Sequence, residues 1–157
     1  DVTYHGPGQL VGYPIIDMHS YGLGASDYMH RLEAVIRDAL GDLGLETGLR
    51  KKIIGLWVGK NKIAALGVRI KRGVTFHGFA LNVAPNMVHW SMIIPCGITD
   101  GGVTSLAQEM DEVPSMARVR QRVVSSFVKH FGVELVPTTL QDLEESVPRT
   151  ELTMEHS

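Results

Sequence analysis

Apolar side chains repeat with a helical period in two parts of the chain. Between residues 26 and 43, apolar residues recur at intervals of three or four: Met29, Leu32, Ile36, Leu40 and Leu43. This spacing predicts an amphipathic helix that starts after Ser26 and ends near Gly44. The same pattern over residues 115–131 predicts a second helix, capped by Ser115 and ended by Gly132. One face of this second helix is formed by Val119, Val123, Phe127 and Phe131.

The middle of the chain has the pattern of a β-meander. Short links of Gly, Lys, Arg and Asn join three apolar segments, at residues 53–59, 61–70 and 73–83. Further strands are predicted at 9–16, where Pro14 indicates an edge or an end, and at 133–136. This order of helices and strands predicts an α+β fold with a mixed or largely antiparallel sheet and packed helices.

Chain length and composition fit one domain, which we place at residues 1–137. Thr104 or Ser105 is a candidate cap for a short helix within it. Residues 138–157 are acidic and poor in apolar side chains, and we expect them to form a poorly ordered tail. At the other end, the strand-forming residues Val2, Thr3 and Tyr4 run straight into a turn, so we expect further chain before residue 1.

The charge is distributed unevenly along the chain. No Asp or Glu occurs from Thr47 to Thr99, yet this stretch holds eight of the fifteen Lys and Arg residues. It is either a solvated strand edge or a surface for an acidic partner. A nucleic-acid partner is not expected, because aromatic residues are few and the basic residues form no single run. No apolar run is long enough for a membrane span, and the single cysteine excludes an internal disulfide.

Cys96 is a candidate nucleophile in the segment IIPCGITDGG. A lone cysteine is more often an inert core residue, but Pro95 and Gly97 predict a tight turn, and the amides that follow could stabilise an oxyanion. A cysteine nucleophile needs a proton acceptor, because an ordinary thiol has a pKa near 8.5. Lys62, at the start of the small-residue segment KIAALG, is a candidate, although a solvated lysine at a strand end is the plainer interpretation.

Two histidines are further candidates. His5 lies in the turn HGPG, and His77 lies in TFHGFALN, where small neighbours indicate either a close ligand or simple packing. The remaining histidines have no zinc-ligand spacing, so no metal is expected. The segment GKNK lacks the glycine-rich loop of a P-loop, no GxGxxG motif occurs, and no cofactor is predicted.

Taken together, four segments resemble the successive conserved blocks of lipoyl(octanoyl) transferases. These are TYHGPGQLVGYPI, GLWVGKNKIAALGVRI, GVTFHGFALNV and IIPCGITDGGVTSL, which cover roughly residues 1–110. The family has an Arg-Gly-Gly and further N-terminal elements before the first block, and this chain begins just after them. The resemblance implies the α+β fold of biotin and lipoate protein ligases. It implies no need for ATP, because a thioester donor is already activated.

The resemblance also implies roles for individual residues. Cys96 would carry the octanoyl group as a thioester, and Lys62 would be its catalytic partner. The substrate site would be lined by three short segments: Thr3, Tyr4 and His5; Ala65, Leu66 and Gly67; Gly78, Phe79 and Ala80. The donor would be octanoyl-acyl carrier protein. The acceptors would be lysines in lipoyl domains of 2-oxoacid dehydrogenase complexes and in the glycine cleavage H protein.

Several alternatives stay open at this point. The chain could be a truncated homologue that binds lipoyl domains or acyl carrier protein without turnover. It could be a lipoate or biotin ligase relative, although Cys96 and the absence of an adenylate-binding loop disfavour this. It could also be a thiol hydrolase that releases free octanoate. A monomer is expected, in the mitochondrion, or in the cytoplasm if the protein is bacterial.

Overall fold

A five-stranded antiparallel sheet forms one layer of the protein. The computed structural model describes residues 5–51, 53–88 and 101–146. In the sheet, neighbouring strands follow the order β1-β5-β4-β3-β2, and each pair is antiparallel. The strands are β1 (Gln9–Gly12), β2 (Gly48–Arg50), β3 (Ile53–Val58), β4 (Asn61–Lys71) and β5 (Val74–Asn82). The predicted meander is confirmed as β3, β4 and β5, which pair in sequence order.

The helices form the second layer. They are α1 (Ala25–Asp42), α2 (Leu106–Glu109), α3 (Met116–Phe131) and α4 (Leu140–Ser146), with a 3₁₀ turn at Met18–Tyr21. Helix α1 packs against α3 on one side and against β3 and β4 on the other. The α+β class predicted from the sequence is therefore confirmed.

The core lies between α1, α3 and the sheet. On α1, the periodic residues Leu32, Ile36 and Leu40 are fully buried. They belong to one apolar cluster with residues of the strands and of α3, among them Leu56, Ile63, Leu81, Val119 and Phe131. Burying a side chain of this size contributes about 1.5–3 kcal/mol, so the apolar stripe of each helix determines which face meets the sheet.

The ends of α3 are as predicted. Ser115 Oγ accepts a hydrogen bond from the Arg118 backbone N–H, and Gly132 closes the helix in the left-handed conformation at φ +63°. The start of α1 differs from the prediction. Its N-cap is Gly24, and Ser26 lies inside the first turn, because the chain is already helical at Ala25.

Two predictions about strands need correction, and one strand was not predicted. Strand β1 ends at Gly12, two residues before Pro14, which has no N–H to donate to a neighbouring strand. Beyond this end, the buried Thr75 hydroxyl donates to the Pro14 carbonyl at 2.8 Å. Residues 133–136 do not form the predicted strand, since no strand of the described sheet lies beside them. Strand β2 was not predicted from the sequence; three residues are too few to show a periodic pattern.

Within the segment expected to be a poorly ordered tail, the structure contains the two-turn helix α4. Thr139 caps it through mutual hydrogen bonds with Asp142. No residue of α4 is buried, so this helix does not depend on the core.

Candidate active site

A β-bulge in β4 determines the direction of the Lys62 side chain. On β3, Leu56 and Trp57 are adjacent, but their partners on β4 are Ala64 and Lys62, so Ile63 is an extra residue. Leu56 and Ala64 point into the core under the helices. Because side chains alternate along a strand and opposite residues share a face, Trp57 and Lys62 point to the other face of the sheet. Ala65, next after Ala64, points to that face as well.

The backbone of Lys62 is also paired on the side away from β3. Its N–H donates to the Gly102 carbonyl and its carbonyl accepts from Thr104 N–H, both at 2.9 Å. Gly102 N–H in turn donates to the Asn61 side chain at 3.0 Å. Lys62 and Val103 thus form a parallel bridge at the edge of β4. This bridge holds the chain that follows the Cys96 segment beside Lys62.

An open cavity of about 540 Å³ lies on the face of the sheet away from the helices. This is within the range of about 300–1,000 Å³ that is usual for small-molecule sites. Its lining includes eight residues that the sequence singled out: His5, Ala65, Leu66, Gly67, His77, Gly78, Phe79 and Ala80. The register explains how they meet, because Ala65 pairs with Ala80, and Gly67 with Gly78, across β4 and β5. Small residues at paired positions leave a groove between the strands.

Lys62 does not line this cavity. It lies three residues before Ala65 on the same strand, on the same face of the sheet, beyond one end of the row of lining residues. Its side chain extends over β3, where Nζ lies 5.0 Å from the centre of the Trp57 ring, so the basic group and the groove share one face of the sheet but lie over different strands.

A histidine–tyrosine–histidine cluster forms one rim of the cavity. Tyr13 Oη and His5 Nε2 are 3.3 Å apart, and the Tyr13 and His77 rings meet edge to face with centroids 5.8 Å apart. His77 has φ +61°, a left-handed conformation that is rare for a residue with a side chain. Local strain of this kind is often found at functional sites. The rim therefore combines exposed polar side chains with a strained backbone position.

A network of buried amides fixes the turn that carries His5. Gln9 accepts from Gly6 N–H at 3.0 Å and donates to Asn82 Oδ1 at 2.9 Å. Asn82 Nδ2 then donates to the Thr104 carbonyl at 3.0 Å. The turn is thus connected through β5 to the same segment that pairs with Lys62. Tight approach at Gly8 completes this link, because a Cβ there would lie 2.2 Å from the Ala84 carbonyl oxygen.

The sequence did not reveal every residue at this site. Tyr13, Val68 and Arg69 also line the cavity, and Gln9, Asn82 and Trp57 support it. Gln9 and Asn82 carried a usable signal, since each is an amide next to apolar strand residues. Trp57 carried none, because its position opposite Lys62 depends on the bulge.

Three of the predicted site residues lie outside the described ranges. They are Thr3, Tyr4 and Cys96. Within the described ranges, no three His, Cys, Asp or Glu side chains are close enough together to hold a metal ion. In the same part of the chain, no helix has the length and apolar character needed to cross a bilayer.

The lipoyl protein ligase A/B catalytic domain matches residues 1–128 of this chain. The chain belongs to this family. The resemblance to octanoyltransferases predicted from the sequence is confirmed by curated relatives of that name.

The octanoyltransferase of Solibacter usitatus is 47% identical over 137 residues, which are 87% of this chain and 61% of the relative. That of Nostoc sp. is 45% identical, over 87% of this chain and 61% of the relative. That of Caldicellulosiruptor saccharolyticus is 43% identical, over 94% and 63%. The chain therefore spans about three fifths of the length of these relatives.

Two solved structures with a similar fold are of a lipoate protein ligase and a biotin protein ligase. A chain in the structure of a bipartite lipoate protein ligase and its lipoyl domain from Thermoplasma acidophilum superposes with a TM-score of 0.68 at 19% identity, covering 91% of this chain and 59% of that one. The biotin protein ligase of Aquifex aeolicus superposes with a TM-score of 0.63 at 14% identity, covering 80% and 53%. At such identities the likeness shows the fold, which is the biotin and lipoate protein ligase fold predicted from the sequence.

Proposed function

We propose that this chain transfers an octanoyl group from octanoyl-acyl carrier protein to a specific lysine of lipoyl domains, the first step of protein lipoylation. The observation that carries the proposal is the apolar groove between Ala65–Ala80 and Gly67–Gly78, on the face of the sheet to which Lys62 points. Relatives named octanoyltransferase at 43–47% identity support the same chemistry.

The first step exchanges one thioester for another. The Cys96 sulfur attacks the octanoyl carbonyl carbon, and the bond to the carrier's sulfur breaks. Lys62, as a neutral amine, takes the Cys96 proton and passes it to the departing carrier thiolate. Because one thioester replaces another, this step is nearly balanced in free energy, and the protein has mainly to position the groups and stabilise an oxyanion.

The second step forms an amide. The acceptor lysine amine attacks the Cys96 thioester, the carbon–sulfur bond breaks, and Cys96 leaves as a thiolate. Lys62 takes the proton lost by the amine and returns it to Cys96, so the enzyme ends in its starting state. An amide is more stable than a thioester, which drives the sequence forward. No ATP, metal or other cofactor enters either step.

The groove accommodates the acyl chain in this proposal. Ala65, Leu66 and Gly67 line one side and Gly78, Phe79 and Ala80 the other, and His5 lies at the rim. Thr3 and Tyr4 stay predicted substrate-site residues outside the described part of the chain. Each methylene removed from water contributes about 0.8 kcal/mol, so an eight-carbon chain gains several kcal/mol of binding free energy.

Acidic carrier domains fit the charge of the sheet. The strands and turns from Gly48 to Asn82 contain no Asp or Glu, while Lys51, Lys60, Arg69, Lys71 and Arg72 are exposed there. Arg69 lies at the cavity itself. We infer that the lipoyl domains and the acyl carrier protein approach over this basic surface. We also propose that the chain acts as a monomer.

The matched relatives change the expected location. The mitochondrial location predicted from the sequence has no support, because the octanoyltransferases reported above are bacterial. The alternative prediction, the bacterial cytoplasm, agrees with them and is the location we propose.

Two other functions remain to be tested against this one. One is a homologue that binds the carriers without turnover. A thiol hydrolase would use the same cysteine but would release free octanoate.

One experiment separates the three. The chain is mixed with octanoyl-acyl carrier protein and a lipoyl domain, and the mass of the lipoyl domain is followed with time. Transfer gives a single octanoyl group on the domain, and Lys62→Ala should slow it by at least about 100-fold, as loss of a general base does. Lys129→Ala, which removes an exposed lysine of α3 outside this basic surface, is the control and should transfer at the parental rate. Free octanoate with an unmodified domain would indicate the hydrolase, and binding without any transfer would indicate the non-catalytic homologue.

A further inference from the structure

Trp57 is a buried ring with two cations close to it, on the sheet face opposite the core. Only 2% of it is exposed, although it does not belong to the apolar core cluster under the helices. Lys62 Nζ lies 5.0 Å from the centre of the ring and Arg50 Cζ lies 4.0 Å from it. Both distances are within the range of about 6 Å in which a cation is attracted to the face of an indole. The ring therefore holds the head of the Lys62 side chain.

Gly55 leaves room for the stem of the same lysine. It has φ +140°, and a Cβ built on it would lie 3.2 Å from Lys62 Cε and 2.8 Å from the Ala64 carbonyl oxygen. A side chain at this position would displace the Lys62 stem and would strain the backbone as well. The lysine thus crosses β3 at a site that accepts only a hydrogen atom.

A buried carboxylate on α1 fixes the backbone at this crossing. Glu33 is only 4% exposed, and its Oε1 accepts a hydrogen bond from Gly55 N–H at 3.1 Å. Its other oxygen lies 3.2 Å from His30 Nδ1. Burying a carboxylate costs free energy of desolvation unless hydrogen bonds compensate for it. Glu33 receives this compensation from the strand amide of Gly55. Here it satisfies an N–H beside the bulge on the neighbouring strand.

We propose that Trp57, Gly55 and Glu33 are positioning residues for Lys62. Glu33 holds the Gly55 backbone, Gly55 leaves space for the lysine stem, and Trp57 contacts the amine at the end, which becomes an ammonium group once it has taken the Cys96 proton. The inference rests on the proposed role of Lys62 in acyl transfer. A flexible lysine that packs at its stem beside Gly55 and at its head against Trp57 loses less freedom when it meets the reacting thiol, and a displacement of about 1 Å can cost roughly 100-fold in rate.

Kinetics of Cys96 acylation test this role, with Trp57→Leu and Trp57→Phe as the paired variants. Trp57→Leu removes the aromatic face and should lower the maximal acylation rate by about 10- to 100-fold at an unchanged KM for the donor. Trp57→Phe keeps an aromatic face and should recover most of the rate. A purely structural role would lower the amount of folded protein in both variants without separating the rate from KM.

A spectroscopic measurement follows the position of Lys62 directly, without turnover. In the chain with ¹³C-labelled lysines, the Lys62 ε-protons should be shifted upfield by the Trp57 ring, and Lys62→Arg assigns the signal. The upfield shift should disappear in Trp57→Leu and shrink in Glu33→Ala, while Glu33→Gln, which keeps an acceptor oxygen, should preserve it.

The outcomes distinguish this proposal from the function on which it rests. If Lys62→Ala acylates Cys96 at the parental rate, the role of Lys62 in the transfer is wrong, and the positioning role is wrong with it. If Lys62→Ala is slow but Trp57→Leu keeps the parental rate and the parental lysine spectrum, the positioning role alone is overturned. A slow Lys62→Ala with a slow Trp57→Leu, rescued by Trp57→Phe, supports both.

Discussion

Gly67 and Gly78 lie opposite each other on β4 and β5, yet an added side chain would meet different surroundings at each. A Cβ at Gly67 would have no atom within 4 Å, whereas a Cβ at Gly78 would lie 2.2 Å from the Gly12 carbonyl oxygen. One glycine therefore leaves the cavity open, and the other lets β1 approach β5. The pair separates the binding role of a small residue from its structural role.

Gly67→Val should narrow the cavity without disturbing the fold. If the valine displaces two or three methylenes of the acyl chain, at about 0.8 kcal/mol each, octanoyl transfer falls roughly 15- to 60-fold. Transfer of a butanoyl group should change little, since a shorter chain does not reach the filled part. The measurement is kcat/KM for both donors. Gly48→Val on β2 is the control, because this glycine lies outside the cavity and its nearest atom is at 4.0 Å. Equal losses for octanoyl and butanoyl would contradict the assignment of the groove.

Gly78→Ala should instead destabilise the protein. The new methyl group overlaps the Gly12 carbonyl, and overpacking of this kind costs about 1–3 kcal/mol of unfolding free energy. Urea unfolding of Gly78→Ala beside Gly67→Ala measures the difference. Coincident unfolding midpoints for the two variants would show that β1 does not approach β5 as closely as described.

His77 tests whether the strained rim position stores free energy. Its φ of +61° is easy for glycine and costly for a β-branched residue. We expect His77→Gly to be at least as stable as the parent, despite losing the contact with Tyr13, and His77→Val to be about 1–2 kcal/mol less stable. Urea unfolding at neutral pH gives both values. A valine variant as stable as the glycine variant would rule out the strain.

Asp38 makes the contact between α1 and α3 dependent on pH. A hydrogen bond with His130 at 2.8 Å, helped by the charges of His130, Lys129 and Arg37, holds the pKa of the Asp38 carboxyl below its ordinary value. A carboxyl whose pKa is lowered on folding stabilises the protein above its unfolded pKa of about 4 and loses this contribution as the pH falls through the folded value.

Replacing the Asp38 carboxylate should therefore lower the unfolding free energy only at pH values where the carboxyl is ionised. Asp38→Asn should lower the unfolding free energy by about 0.5–1 kcal/mol at pH 7, a value kept small because a third of the side chain is exposed to solvent. The difference from the parent should shrink towards zero near pH 3. Urea unfolding at both pH values checks this, and a difference that persists unchanged at low pH would assign the effect to packing instead.

Local sequence patterns predict most helix and strand positions in this protein, but they predict only some of the residues at the candidate site. Leu32, Ile36 and Leu40 lie one turn apart and are all buried, so their periodicity was sufficient to predict α1. The groove was predictable because Ala65, Gly67, Gly78 and Ala80 are small residues within otherwise apolar strands.

Features that depend on pairing between distant elements could not be predicted from local patterns. The extra residue at Ile63 turns Lys62 towards Trp57. The apolar and polar pattern of a short strand does not show where such a bulge occurs. The Glu33–Gly55 hydrogen bond joins α1 to β3 across 22 positions. The predicted strand at 133–136 failed for the same reason, since apolar alternation forms a strand only where a neighbour offers a free edge.

The most direct test of the central claim is the intact mass of this chain after mixing with octanoyl-acyl carrier protein, beside its Cys96→Ser variant. The account predicts one octanoyl adduct on the parent, none on the variant, and loss of the adduct when a lipoyl domain is added. No adduct on a chain shown to be folded by circular dichroism, or an adduct that also forms on Cys96→Ser, would contradict it.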